Sequence, residues 1–236
     1  MQKSNLKAIF FDLDDTLFDC TEAQRQVLHL IIQKYADLFA GFDAETVIKA
    51  FRQADGIGIK EMEKGCSLVQ ARAIRGKEFL KILNLDEIYS DEITEMYLNL
   101  YPSLNIAVDG AHSVLEKLSD KFQLGMITNG STDVQNRKIN GIGIKDFFDC
   151  IIISDEIICR KPDPRIFETA RKLLSREPEE CMHIGDSYNS DVVGAKNAGF
   201  FACWINPNGK KPSQIEIKPD YVITSLCEIL KFDIVE

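Results

Sequence analysis

Apolar positions follow two different rhythms along the chain. Ala8-Ile9-Phe10-Phe11 is an unbroken apolar run that gives way to Asp12-Leu13-Asp14. A short run with no polar face predicts a strand covered on both sides, the kind found in parallel sheets, and strand one is set at residues 8–13. From Thr21 to about Tyr101 the apolar residues recur at helical intervals instead. Val27, Leu28, Ile31 and Leu38 mark a first helix, with Thr21 and Gln24 at capping-box spacing. Asp43 is suited to cap a second helix through Val47, Phe51 and Ala54. Helical patterns continue over 68–83 and 88–101. No alternating strand interrupts this stretch, which reads as an all-helical unit of roughly 85 residues.

Beyond Ile106 strands and helices take turns. The pattern predicts a helix over 111–119, a strand over 124–128 and, after the Asn129-Gly130 turn, a helix from Thr132 whose Gln135 has capping-box spacing. It continues with a strand over 150–153, a helix over 164–174, a strand over 182–185 and a helix over 189–198. Strands over 201–205 and 221–223 complete it. Short strands separated by helices of about ten residues imply βαβ units with right-handed crossovers. Strand one belongs to the same parallel sheet, so the helical unit is an insertion. The expected architecture is α/β, with 1–17 and 106–236 forming the sheet domain and 18–105 the inserted helical domain.

Composition narrows the class. With 28 Lys+Arg against 37 Asp+Glu the formal net charge is −9, which disfavours nucleic acid as a partner, because phosphate backbones need a basic surface. No apolar run reaches the ~20 residues that span a bilayer. No secretory signal is recognisable at the N-terminus, so the cytoplasm is the expected location and no membrane association is expected. The seven cysteines show no CxxC spacing and are expected as reduced thiols. The three histidines, His29, His112 and His183, lack ligand spacing and show no functional pairing. Any metal is therefore expected on carboxylates, which favours Mg²⁺ over Zn²⁺.

Ligands of open parallel sheets bind beyond the carboxyl ends of the strands. There this chain offers Asp12, Asp14 and Thr16 after strand one, Thr128-Asn129-Gly130 after the second, and Asp186 with Asp191 after the fourth. Lys161 stands in the loop ahead of the 164–174 helix, a position defined by Asp163 as cap and Pro164 as first helical residue. Taken singly, each has a plain reading as a solvated turn, a surface lysine or a helix cap. Together they suit a carboxylate-bound Mg²⁺ working on a phosphate: clustered carboxylates call for a cation, while Thr128, the Asn129 and Gly130 amides and Lys161 suit an anion. Asp15, Asp19, Asp155 and Glu156 read as solvated or capping residues.

These residues resemble the motifs of the haloacid dehalogenase-like (HAD) superfamily. Phe11-Asp12-Leu13-Asp14-Asp15-Thr16-Leu17 is similar to its DxDx(T/V) motif, Ile127-Thr128-Asn129-Gly130 to its second motif, and Lys161-Pro162-Asp163-Pro164 to its third. Gly185-Asp186-Ser187 through Asp191 is similar to the GDxxxxD form of its fourth. All four occur in the expected order. The resemblance implies a Rossmann-like core and identifies the inserted unit with the α-helical C1 cap. Cys203-Trp204-Ile205-Asn206 resembles a branch of pyrimidine 5′-nucleotidase-like and N-acylneuraminate-9-phosphatase-like enzymes.

The resemblance also implies roles. Asp12 would be the nucleophile that forms an aspartyl-phosphate, and Asp14 the acid and then the base. Mg²⁺ would be held by the carboxylates of Asp12 and Asp186 and the backbone carbonyl of Asp14, with Asp191 supporting the site. Thr128, Asn129, Gly130 and Lys161 would bind the phosphoryl group. Dehalogenases of the family lack an acid at the position of Asp14, so phosphoryl chemistry is implied. The expected activity is a Mg²⁺-dependent phosphatase for a small phosphorylated metabolite, a nucleoside monophosphate or sugar phosphate. The alternatives are a phosphomutase of the β-phosphoglucomutase kind and a non-catalytic phosphometabolite-binding module. The sequence says nothing of oligomeric state. An anionic substrate on a chain of charge −9 requires a locally positive site.

Overall fold

The computed structural model describes residues 5–211 and 217–232. The chain divides into two compact units, one made of the residues up to Cys20 and from Asn105 onward, the other of Thr21–Leu104.

The first unit is built on a six-stranded sheet in the order β3-β2-β1-β4-β5-β6, parallel at every pairing. The strands are β1 (Ala8–Phe11), β2 (Gln123–Thr128), β3 (Cys150–Ile153), β4 (Cys181–Gly185), β5 (Phe201–Ile205) and β6 (Tyr221–Ile223). This is the expected fold class. All four side chains of β1 are fully buried, as the unbroken apolar run requires. Phe11, the last residue of β1, pairs with Met126 of β2 on one side and Ile184 of β4 on the other, so β2 runs two residues and β4 one residue past it. Successive strands are laid down to one side of β1 as far as β3 and then to the other from β4. Their carboxyl ends therefore open on a topological switch point, where open α/β sheets bind ligands.

Strand one is shorter than expected. Asp12 still donates its N–H to Ile184 O (2.9 Å), but from Leu13 the backbone turns, with Leu13 O accepting from Thr16, Leu17 and Phe18. Asp15 completes the turn in the left-handed region (φ 54°). Around the sheet, α6 (Ala111–Ser119), α7 (Thr132–Gly141), α8 (Ser154–Ile157), α9 (Pro164–Leu173) and α10 (Gly194–Asn197) follow the strands. Phe10, Ile127, Ile166, Phe167, Phe200 and Trp204 share the core that α9 and the segment after β4 close.

The second unit is helical throughout: α1 (Cys20–Lys34) leads into it, followed by α2 (Ala36–Phe39), α3 (Ala44–Glu63), α4 (Leu68–Ile82) and α5 (Ser90–Leu100). Asp43 caps α3, accepting from Thr46 N at 2.7 Å. Val27, Ile31, Phe51, Phe79 and Tyr97 are among the residues of its apolar core. Arg75 lies along that core, with its guanidinium 5.0 Å from the Phe51 ring and 4.6 Å from the Tyr97 ring and its Nη1 on Asp55 (3.0 Å). No helix among the described residues is long and apolar enough to cross a membrane, and none of the seven cysteines forms a disulfide.

Candidate active site

Four segments deliver polar side chains to the carboxyl edge of the sheet. Asp12 follows β1 and is 6% exposed. Thr128 ends β2 and is fully buried. Lys161 stands ahead of α9, where Asp163 caps the helix (Arg165 N to Oδ1, 2.9 Å) and Pro164 opens it, as their order predicts. Asp191 lies in a widened helical turn (Tyr188–Val193) that begins at Ser187. The helix expected over 189–198 is present, but its first part is this widened turn, which runs directly into α10. In the turn the Asp191 carboxylate reaches back to the Ser187 N–H (Oδ2, 2.9 Å).

Lys161 is the hub. Its Nζ lies 2.6 Å from Asp12 Oδ1 and 2.6 Å from Asp191 Oδ1, and all three side chains are buried. Burial would push the ammonium down, but the Asp12 and Asp191 carboxylates outweigh it and hold Lys161 above its usual range. Asn129 clamps the lysine's backbone in both directions: Nδ2 donates to Lys161 O (3.0 Å) and Oδ1 accepts from Lys161 N (2.9 Å). The Gly130 N–H donates to Ser154 Oγ (3.1 Å), tying the loop after β2 to the start of α8.

The carboxylates differ sharply in protonation. Burial drives Asp12 well above the ordinary range, Lys161 opposes this, and Asp191 and Asp14 add to it. Asp186 is pushed up to about 7 by burial, then by the nearby Asp191 and Asp15. Asp191 is buried as well, yet Lys161 and His183 hold it far below the ordinary range. One carboxylate oxygen each from Asp12, Asp186 and Asp191 lies within 4.8 Å of the others. The set is all oxygen, which suits a hard cation. With three of its contacts already made inside the protein, Asp191 braces the cluster, whereas the raised Asp186 carboxyl is the group a cation would relieve.

Three residues of this site were not singled out from the sequence. His183, fully covered in the middle of β4, brings Nε2 to 2.9 Å from Asp191 Oδ1 and stacks edge-on against Phe167. Burial keeps its imidazole below the ordinary range despite Asp191. It is thus paired with a carboxylate of the acidic cluster, a contact its sequence spacing does not reveal. Gln135 does not close a capping box: the cap position of α7 is Ser131, Asp155 Oδ2 accepts from Thr132 N (3.2 Å), and Gln135 points inward to donate to Thr128 Oγ1 (2.6 Å). Lys138, one turn on, places Nζ 2.7 Å from Asp14 Oδ1. Asp14, with a side chain 37% exposed, thus pairs with a different lysine from the one that holds Asp12.

Gly185 makes this packing possible, because a Cβ there would run into the carboxyl group of Asp191. Gly185→Ala is expected to displace Asp191 and destabilise the protein by about 1–3 kcal/mol, the usual cost of overpacking. Urea unfolding checks this. An unchanged midpoint and slope would show that Asp191 gives way freely.

A fully parallel sheet with a buried carboxylate–lysine cluster at its switch point defines an α/β enzyme. The chain belongs to the haloacid dehalogenase-like hydrolase family, whose sequence profile matches residues 6–199. It is 30% identical over 206 residues to glyceraldehyde 3-phosphate phosphatase of Methanothermobacter thermautotrophicus, covering 85% of this chain and 86% of that protein. It is 26% identical over 225 residues to pyrimidine 5′-nucleotidase YjjG of Escherichia coli (94% and 95% covered). Its fold is shared with a magnesium-bound HAD hydrolase, YfnB, from Bacillus subtilis, at a TM-score of 0.84 and 24% identity, covering 97% of this chain and 98% of that one.

Proposed function

We propose that the protein is a Mg²⁺-dependent phosphatase acting on a small phosphomonoester, a nucleoside monophosphate or sugar phosphate, through an aspartyl-phosphate on Asp12. The observation that carries this reading is the separation of two carboxylates two residues apart. Asp12 is buried against Lys161, while the more exposed Asp14 pairs with a different lysine, Lys138. One is equipped as a nucleophile, the other as an acid and base.

An oxygen of Asp12 bonds to phosphorus as the bond from phosphorus to the leaving oxygen breaks, and Asp14 gives its proton to the departing alcohol. Water then attacks phosphorus with its proton passing to Asp14, and Asp12 leaves as a carboxylate with release of phosphate. Lys161 and the Thr128 hydroxyl hold the phosphoryl oxygens, with Asn129 and Gly130 shaping that loop. The Asp12 and Asp186 carboxylates and the Asp14 carbonyl would hold Mg²⁺, braced by Asp191; the ion supplies positive charge against the phosphoryl oxygens. Four carboxylates meet two ammonium groups here, so added positive charge is what an anionic substrate needs. Residues 1–17 with 106–236 are the catalytic core in this reading. Residues 18–105 are the cap that sets substrate choice.

The test is phosphate release from p-nitrophenyl phosphate with Mg²⁺, followed by a screen of nucleoside monophosphates and sugar phosphates. Turnover of one class well above the others is expected. Neither phosphate release nor binding of BeF₃⁻ as an aspartyl-phosphate mimic would end the phosphatase reading.

A further inference from the structure

Two polar residues of α7 lie where its apolar stripe should run: Gln135 is 1% and Lys138 2% exposed. Burying a lysine is costly unless its charge is paired. Here Asp14 Oδ1 supplies the partner at 2.7 Å, and the Phe18 ring lies 5.1 Å from the ammonium.

The Gln135 amide is oriented by its surroundings. Its Nε2 faces Thr128 Oγ1 (2.6 Å), Asp14 Oδ2 (3.3 Å) and Asn129 O (3.3 Å). A backbone carbonyl only accepts, so the NH₂ group, not the amide oxygen, must point toward Asn129 O. Thr128 Oγ1 therefore accepts from Gln135 and keeps its own hydrogen to donate elsewhere. Gly130, at φ 151°, leaves room for this side chain: a Cβ there would stand 2.9 Å from Gln135 Cδ and 3.0 Å from Cγ.

We propose that Gln135 and Lys138 are positioning residues of the phosphoryl-transfer site. Lys138 holds the Asp14 carboxyl in place and offsets the negative charge it gains on giving its proton to the leaving alcohol. Gln135 turns the Thr128 hydroxyl hydrogen toward the phosphoryl group. This rests on the phosphatase reading above and assigns work to two residues outside its four motifs.

Leaving-group dependence tests it. Nitrophenolate departs without a proton, whereas an alkyl alcohol needs one. Wild type and Lys138→Met are compared on the first-turnover burst with p-nitrophenyl phosphate. They are also compared on kcat with ribose 5-phosphate or UMP, whichever the wild type turns over faster. The expected result is about a 10²-fold loss of kcat on the alkyl ester, the usual share of general acid catalysis, with a loss at least tenfold smaller in the burst. KM should change little, and Lys138→Arg should recover part of the loss. Gln135→Leu is expected to slow both substrates alike and to weaken inhibition by inorganic phosphate, since Thr128 serves the phosphoryl group of either.

In an Asp14→Asn background, Lys138→Met should cost nothing further, because the residue it acts through is already gone. That double variant removes both charges of the pair together, so it carries the test if Lys138→Met alone does not fold. Equal losses on both substrates, or additive losses in the double variant, would overturn the inference while leaving an active wild-type phosphatase. A wild type that turns over neither substrate would overturn the phosphatase reading and this inference with it.

Discussion

Asp12→Asn is expected to lose phosphatase activity by about 10⁴-fold or more, the scale seen when a covalent nucleophile is removed. The amide is nearly isosteric and its oxygen still accepts from Lys161 Nζ, which sits 2.6 Å from Asp12 Oδ1. What is lost is the carboxylate proposed to attack phosphorus. Stability should move the other way. Asp12 lies well above the ordinary carboxylate range when folded, first through burial. Its folded value exceeds its unfolded one, so its stabilising share is present at low pH and lost as pH rises through the folded value. Where it ionises, the buried carboxylate is a burden on the fold, which the amide lifts. Thermal melting at neutral pH should place the variant at or above wild type. A variant that is inactive and also markedly less stable would point to a structural role.

Removing Mg²⁺ has the second large expected effect. Chelation should abolish turnover, and the ion should stabilise the fold in a pH-dependent way. Asp186 has an ordinary value of 3.8 and is pushed up to about 7, chiefly by burial. Without metal its contribution to stability is therefore full below about pH 4 and is lost as pH rises toward about 7. A bound cation needs the carboxylate and reverses that loss. The melting-temperature gain from Mg²⁺ over EDTA should thus grow from about pH 5 to about pH 8, with affinity weakening about tenfold per unit below about pH 7. Differential scanning fluorimetry across that range checks it. A gain that does not vary with pH would show that Asp186 is not a ligand.

Much of the fold was legible because burial leaves a plain mark on sequence. β1 is apolar at every position, and β3, β5 and β6 fall where their apolar runs lie. Asp163-Pro164 fixed the start of α9 by cap chemistry that depends on local geometry alone. What stayed hidden depends on distant partners. The positions 135, 138, 139 and 142 have helical spacing for an inward stripe, yet two of them are Gln and Lys, which read as surface residues until Asp14 and Thr128 are seen opposite. A polar residue at a stripe position was the signal available. His183 was equally well placed, inside an otherwise apolar strand, and its partner Asp191 lies eight residues away across a widened turn that periodicity does not reveal.

The central claim is that Asp12 becomes phosphorylated, and trapping the phosphoryl group tests it most directly. Wild-type protein mixed with p-nitrophenyl phosphate and Mg²⁺, quenched in acid within one turnover and digested, should carry one phosphoryl group on the peptide containing Asp12. Asp12→Asn should carry none. Phosphate release without any adduct, or an adduct on a different residue, would contradict the account.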